Sequence, residues 1–160
     1  NISDLLDLKP TDIRGGRICY KRNKTGRLYD VKVEPEALEI IKRYKGKKYL
    51  LKYKDNSKFN LKHFESNLNT RLKRLGRFRE YNKEPMFPYL STYYNRHTWA
   101  TLASEIDIPM EVIGRALGHA MWDNAVTSTY IKYDTKKIDE ANRKVIDYLN
   151  ADLGCNKDNK

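Results

Sequence analysis

Two strand-like stretches, Arg17-Ile-Cys-Tyr-Lys-Arg22 and Arg27-Leu-Tyr-Asp-Val-Lys-Val33, meet across Asn23-Lys24-Thr25-Gly26. The Asn and Gly of that connection predict a tight hairpin turn. Most other apolar residues recur at helical spacing. Ile2, Leu5, Leu6 and Leu8 fit the end of an amphipathic helix, with Pro10 and the Gly15-Gly16 pair as its stop. Because Asn1 already falls inside that pattern, the sequence reads as a piece of a longer protein whose N-terminal portion is missing.

The rest of the chain is helical in expectation. Glu34-Pro35-Glu36 opens a helix with Leu38, Ile41 and Tyr44 on one side. Lys45 to Lys58 is crowded with Lys and Tyr around the short apolar break Tyr49-Leu50-Leu51. Asn60 suits the cap of a longer helix carrying Leu61, Phe64, Leu68, Leu72 and Leu75, which Gly76 ends. After a loop with Pro85 and Pro88, a helix runs from Ser91 or Thr92 to about Glu105. A short one starts at Pro109 and closes at Gly118, one capped by Asp123 runs through Tyr130, and the last runs from Thr135 to about Tyr148. The expected class is therefore α+β, mainly helical with one small antiparallel β-hairpin or sheet, as a domain over residues 1–150 with a polar tail at 151–160.

Composition narrows the function. The 160 residues hold 32 Lys and Arg against 21 Asp and Glu, a net charge of +11, and 39% are hydrophobic. That is enough apolar material for a core, and no apolar run approaches the ~18 residues of a membrane span. The cation surplus points to a polyanion, most simply nucleic acid, with a merely solvated basic face as the bland alternative. Cys19 and Cys155 follow no metal-ligand spacing, and with His63, His97 and His119 as the only histidines the expectation is a reduced, cytoplasmic protein without metal or other cofactor.

Three segments carry candidate chemistry. Tyr93-Tyr-Asn-Arg96-His97-Thr-Trp99-Ala-Thr101 places Arg96 on a helix, where an arginine is either a surface ion-pair partner or a bidentate phosphate clamp. Ala116-Leu-Gly118-His119 puts His119 after a glycine turn, as a packing group or as a group aimed into a cleft. Thr127-Ser-Thr-Tyr130-Ile-Lys-Tyr133 offers two tyrosines that packing alone would explain.

Taken in order, Arg96, Leu117-Gly118-His119 and the Thr-rich approach to Tyr130 resemble the tyrosine recombinase (phage integrase) family, which cuts and rejoins DNA through a phosphotyrosine. Lys24-Thr25-Gly26 resembles the family's hairpin Lys-Thr-Gly, and Ile2-Ser-Asp4 resembles the segment in which an Arg precedes an apolar residue, Ser and an acid. The likeness runs from about Asn1 to Asp134 and is closest to Bacteroides-type mobile-element integrases. It implies Tyr130 as the nucleophile, Arg96 and His119 on the phosphate, and Lys24 as the acid for the departing 5′ oxygen, with Lys21 as the competitor for that part. Asp4 would orient the active-site arginines.

This sequence departs from the family pattern at three places. Tyr93 stands where a His is usual and still offers one hydrogen bond; the interval from His119 to Tyr130 is longer than in many relatives, which makes Tyr133 a rival; and Asn1 occupies the place of the first catalytic Arg. The resemblance further implies double-stranded attachment-site DNA as partner, a tetramer on that DNA and a bacterial, nucleoid-associated location. A non-cleaving accessory protein and a type IB topoisomerase are the alternatives.

Two basic clusters would carry the flanking duplex. Lys45, Lys47 and Lys48 belong to the first, Arg71, Arg74 and Arg77 to the second, and Lys21 and Arg22 join them from the hairpin. His97 reads as a packing or capping group, His63 as a helix-flank residue, and Trp99 and Trp122 as core. Ile138, Ala141, Val145, Ile146 and Leu149 make the last helix amphipathic, for docking either in cis or on a neighbouring protomer.

Overall fold

A computed structural model describes residues 1–75, 87, 89–119 and 135–155, with side chains through residue 152. Among these residues the chain is α+β, with six α-helices and one three-stranded antiparallel sheet. It divides into two compact units, Asn1–Asn95 and Arg96–Lys160.

The first unit opens with α1 (Ile2–Asp7), which buries Leu6 and, just past its end, Leu8. Pro10 does end the helical run, but it starts a 3-10 turn, Pro10–Asp12. The two glycines are not a helix stop. Gly15 and Gly16 have φ of +55° and +74°, and they turn a short strand β1 (Ile13–Arg14) back onto β2 (Arg17–Lys21) with Arg14 opposite Arg17. A two-residue turn with both φ positive matches strand twist, and glycine is the residue that adopts it without strain. This third strand is the main addition to the expected hairpin.

Strand β3 (Leu28–Lys32) completes the sheet in the order β1-β2-β3, with Tyr20 opposite Tyr29 and Cys19 opposite Asp30. Pro35 occupies the first turn of α2 (Pro35–Arg43), as its fixed φ favours. The following loop closes through a bridge between Lys45 and Leu51, passes through a 3-10 turn (Lys52–Asp55), and reaches α3 (Leu61–Lys73). Asn60 caps α3, its Oδ1 accepting the His63 N–H at 2.9 Å. Leu50 and Leu51, the apolar break in a run of lysines, are buried, and the Leu50 N–H donates to the Leu8 carbonyl at 2.7 Å. The loop is thereby stitched to α1.

The helix α4 (Tyr94–Glu105) begins two or three residues later than the pattern suggests. The Thr92 N–H is taken by Asn69 Oδ1 at 2.9 Å, so that residue serves as a tie to α3 and not as the first turn of α4. In the second unit α4 is followed by α5 (Met110–Ala116) and α6 (Thr135–Cys155). Ala103, Ile108, Ile113, Ala141 and Val145 form its buried core, flanked by Trp99, Leu102, Ile106, Val112 and Leu117. Ala141 and Val145 thus dock α6 in cis. The helix also runs past Tyr148 to Cys155, so the boundary expected at residue 150 falls inside it. Trp99 is only half-buried, and its indole donates to Asn142 Oδ1 at 3.1 Å.

Candidate functional site

In the first unit the hairpin turn carries the candidate acid. The Arg22 N–H donates to the Arg27 carbonyl and the Gly26 N–H to the Arg22 carbonyl, each at 2.8 Å, closing a four-residue loop over residues 23–26. Gly26 sits at φ +67°, which is why the last loop position is glycine. Lys24 is exposed on this loop. Lys21, its competitor, is exposed at the end of β2, and its Cε lies near the position a Cβ on Gly26 would take, at 3.4 Å. Both lysines therefore belong to the same end of the hairpin.

The root of the turn is tied to α1 by two carboxylates three residues apart, on one side of the helix. Asp4 is 4% exposed; its Oδ1 accepts the Asn23 N–H at 3.1 Å, and its Oδ2 lies 3.7 Å from Arg22 Nε. Asp7 Oδ2 accepts the Asn23 side-chain amide at 3.0 Å, while its Oδ1 pairs with Lys54 from the 3-10 turn. The arginine that Asp4 meets is Arg22. That residue, expected as a DNA contact, is half-buried and directed to α1.

Below the turn, α1 and strands β2 and β3 enclose a groove of about 580 Å³. Asp4, Asp7, Asp12 and Asp30 line it against only two cations, Lys9 and Lys21. Three of these acids are paired with cations: Asp4 with Arg22, Asp7 with Lys54 and Asp30 with Arg17. Tyr20, stacked on Tyr29 with centroids 5.3 Å apart, has its phenol pKa pushed up, first by burial and then by Asp4. On the far edge, Arg17 holds Asp30 at 2.6 Å and keeps its carboxyl below the usual range. Desolvation and then Asp30 raise the Cys19 thiol, the opposite of what a nucleophilic cysteine needs.

The basic loop is shaped by one carboxylate. Asp55 accepts the backbone N–H groups of Lys47, Lys48 and Tyr49, the last two at 3.0 Å, and these bonds lower its pKa, that from Lys47 most. Gly46 admits this wrap, since a Cβ there would lie 2.7 Å from Asp55 Oδ2 and against the Tyr49 carbonyl. With the Lys47 and Lys48 amides held inward and Lys45 in the bridge to Leu51, the side chains of all three lysines are exposed. Tyrosine rings stiffen the patch: Lys48 and Lys54 lie over Tyr49 at 5.5 and 5.0 Å, and Lys52 over Tyr44 at 5.5 Å. Tyr44, Tyr53, Phe64 and Phe59 continue as a chain of ring contacts down to α3. Arg71 and Arg74 are exposed at the end of that helix.

Tyr93 is 61% exposed just before α4. The second unit holds Arg96, half-buried in the first turns of α4, with His97 exposed beside it. His119 is exposed, and its backbone is fixed by the end of α5. The His119 N–H reaches the Gly114 carbonyl at 2.9 Å and the Gly118 N–H the Arg115 carbonyl at 2.9 Å, with Gly118 at φ +71°. This is a Schellman end, so Leu-Gly-His encodes a rigid platform for the imidazole. The end of α4 repeats the device with Asp107 at φ +59°, the Ile108 N–H bonding the Ala103 carbonyl at 2.9 Å.

Tyr130, Tyr133, Trp122 and Arg77 lie outside the described residues. Lys24 and Tyr93 belong to one unit, Arg96 and His119 to the other. Sequence reasoning missed Asp7, Asn23 and Asp55. The signals available were the spacing of Asp7 from Asp4 on one helix and the position of Asn23 directly before Lys24. Among the described residues no three His, Cys, Asp or Glu side chains gather as a metal would require, and no helix is long and apolar enough to cross a membrane. Compared with protein-family models, with curated proteins and with solved structures, the chain finds no match.

Proposed function

We propose that the chain is the catalytic part of a tyrosine site-specific recombinase, which breaks and rejoins double-stranded DNA through a 3′-phosphotyrosyl intermediate. The observation that carries this reading is the Lys24 turn: the Lys-Thr-Gly signature folds into a closed loop that exposes Lys24. Two further features support it. The Leu-Gly-His signature forms a helix end that fixes the His119 backbone, and Arg96 lies in the first turn of the helix carrying the Arg-His-Thr-Trp run.

The proposed chemistry follows from the residue types. The Tyr130 oxygen attacks phosphorus as the bond to the 5′ oxygen breaks. The phenol gives up its proton to His119 or water, and the Lys24 ammonium protonates the 5′ oxygen. Arg96, always charged, binds the non-bridging oxygens as negative charge builds, and Tyr93 adds one neutral hydrogen bond. Removing one such preorganised donor costs about 2.7–4 kcal/mol of transition-state stabilisation. The phosphotyrosine retains the energy of the broken bond, so rejoining needs no nucleotide. In this reading Lys45, Lys47, Lys48, Arg71 and Arg74 hold flanking phosphates, and tetramer assembly brings two duplexes together.

The test uses nicked duplexes cut from the DNA flanking the chain's own gene, quenched with SDS. Wild type is expected to leave a covalent protein–DNA adduct that Tyr130→Phe lacks. Equal adducts from both would remove Tyr130 from the reaction. DNA binding with no adduct from wild type would favour the non-cleaving accessory protein.

A further inference from the structure

Lys24 is useful as an acid only if its turn is held still, and a four-residue loop at the end of a two-strand ribbon is a mobile place. Sheet pairing alone does not fix it. The last ladder pair is Lys21 with Leu28, and beyond it only the two loop bonds at Arg22 and Gly26 remain. The residue immediately before Lys24 has two anchors. The Asn23 N–H reaches Asp4, and the Asn23 side-chain amide reaches Asp7 at 3.0 Å. Asp7 is itself held from the other side by Lys54, an ammonium that also lies over the Tyr49 ring at 5.0 Å. The side chain of Lys24 has no ion pair among the described residues, so the loop's order comes from its neighbour.

We infer that Asp7, acting through the Asn23 amide, is a positioning residue for Lys24, and that Lys54 links it to the basic loop. The inference rests on the recombinase reading for its catalytic consequence and on the Asp7–Asn23–Lys54 contacts for its structural one. It goes beyond the family resemblance, which assigns a part to Asp4 and none to Asp7. The ammonium is free to meet a leaving oxygen because Asp7 holds the turn by its neighbour and leaves the charge of Lys24 unneutralised. A misplacement of about 1 Å in a catalytic group costs up to ~10²-fold in rate.

The chemistry supplies a readout that a merely structural role would not move. A 5′ oxygen needs a proton as it leaves, whereas a sulfur in the same bridging position leaves as a thiolate without one. On the nicked duplex, Lys24→Ala, Asp7→Ala and Asn23→Ala are expected to slow cleavage at least ~10-fold. With sulfur at the mapped cleavage position all three are expected to return to within about 3-fold of wild type. Asp7→Asn keeps one acceptor oxygen for the Asn23 amide but loses the second, which holds Lys54, and is expected to cleave the ordinary substrate at a rate between those of wild type and Asp7→Ala. An Asp7→Ala defect that persists with the sulfur substrate, or no defect at all, overturns the inference while leaving the recombinase reading in place.

A second measurement decides the structural claim without cleavage. Amide relaxation should give Lys24 and Thr25 order parameters near ~0.85 in wild type and below ~0.6 in Asp7→Ala, with β2 and β3 unchanged. Lys24 equally ordered in both proteins overturns the inference whatever the enzyme does.

Discussion

The unit that carries Lys24 buries four apolar side chains among its described residues, Leu6, Leu8, Leu50 and Leu51. Its segments are joined chiefly by carboxylates: Asp4 and Asp7 to the hairpin, Asp7 to Lys54, Asp55 to the basic loop. The unit that carries Arg96 and His119 has a packed core of Ala103, Ile108, Ile113, Ala141 and Val145. Its helix ends at Asp107 and Gly118 are Schellman turns closed by backbone bonds. The difference teaches how a strongly basic surface is organised. Where cations crowd, buried or turned-in acids fix the backbone and leave the lysines pointing out. Where Arg96 sits, apolar packing sets a helix and the helix sets the arginine.

The comparison is broken most easily at the apolar core. Ile113→Ala should destabilise the second unit by about 2–5 kcal/mol, read as a loss of denaturation midpoint. A cost well under 1 kcal/mol would mean that this unit too is held by polar ties. Next comes the buried carboxylate of the first unit. Asp4→Asn should cost about 1–3 kcal/mol, because it weakens the hold on Arg22 and on the Asn23 N–H together. Its amide-exchange signature should be confined to α1 and the hairpin.

A smaller effect of opposite sign is expected at the end of α4. Asp107 holds a left-handed backbone that glycine adopts freely, so Asp107→Gly should raise stability by up to about 1 kcal/mol in a thermal melt. No gain would show that the aspartate side chain makes up for its own backbone. The gentlest probe is acid. The Asp55 carboxyl titrates below its unfolded value near ~3.9, so its hold on the loop is complete above that pH and is lost as pH falls through the lower, folded value. Amides of Lys48 and Tyr49 should loosen in that range, and in Asp55→Asn the acid step should be absent. A loop that loosens at the same pH in both proteins would contradict the assignment.

The same division governs what a reader of the sequence could see. Helix ends and the hairpin were legible because Asn60, Pro35, Gly26 and Gly118 act locally, through one cap, one ring or one positive φ. The pairing of Ala141 and Val145 with the core was half-legible: periodicity showed an apolar stripe and could not say what it covers. The third strand was missed because Gly15-Gly16 marks a turn as readily as a helix stop, and β1 contributes only Ile13 and Arg14. The carboxylate ties were the least legible. Asp7 meets Lys54 across 47 positions of sequence and Asp4 meets Asn23 across 19, and no local pattern distinguishes such an acid from a solvated one. Arg22 shows the same limit from the other side, since in the sequence it looks like every other cation in the basic face.

In the proposed function Tyr130 takes the DNA strand. The most direct measurement digests the SDS-trapped adduct with protease and nuclease and locates the nucleotide by mass spectrometry. A single nucleotide joined through its 3′-phosphate to Tyr130 is expected, with a free 5′-hydroxyl on the released strand. A nucleotide on Tyr133, or a 5′-phosphate link to any residue, would contradict it.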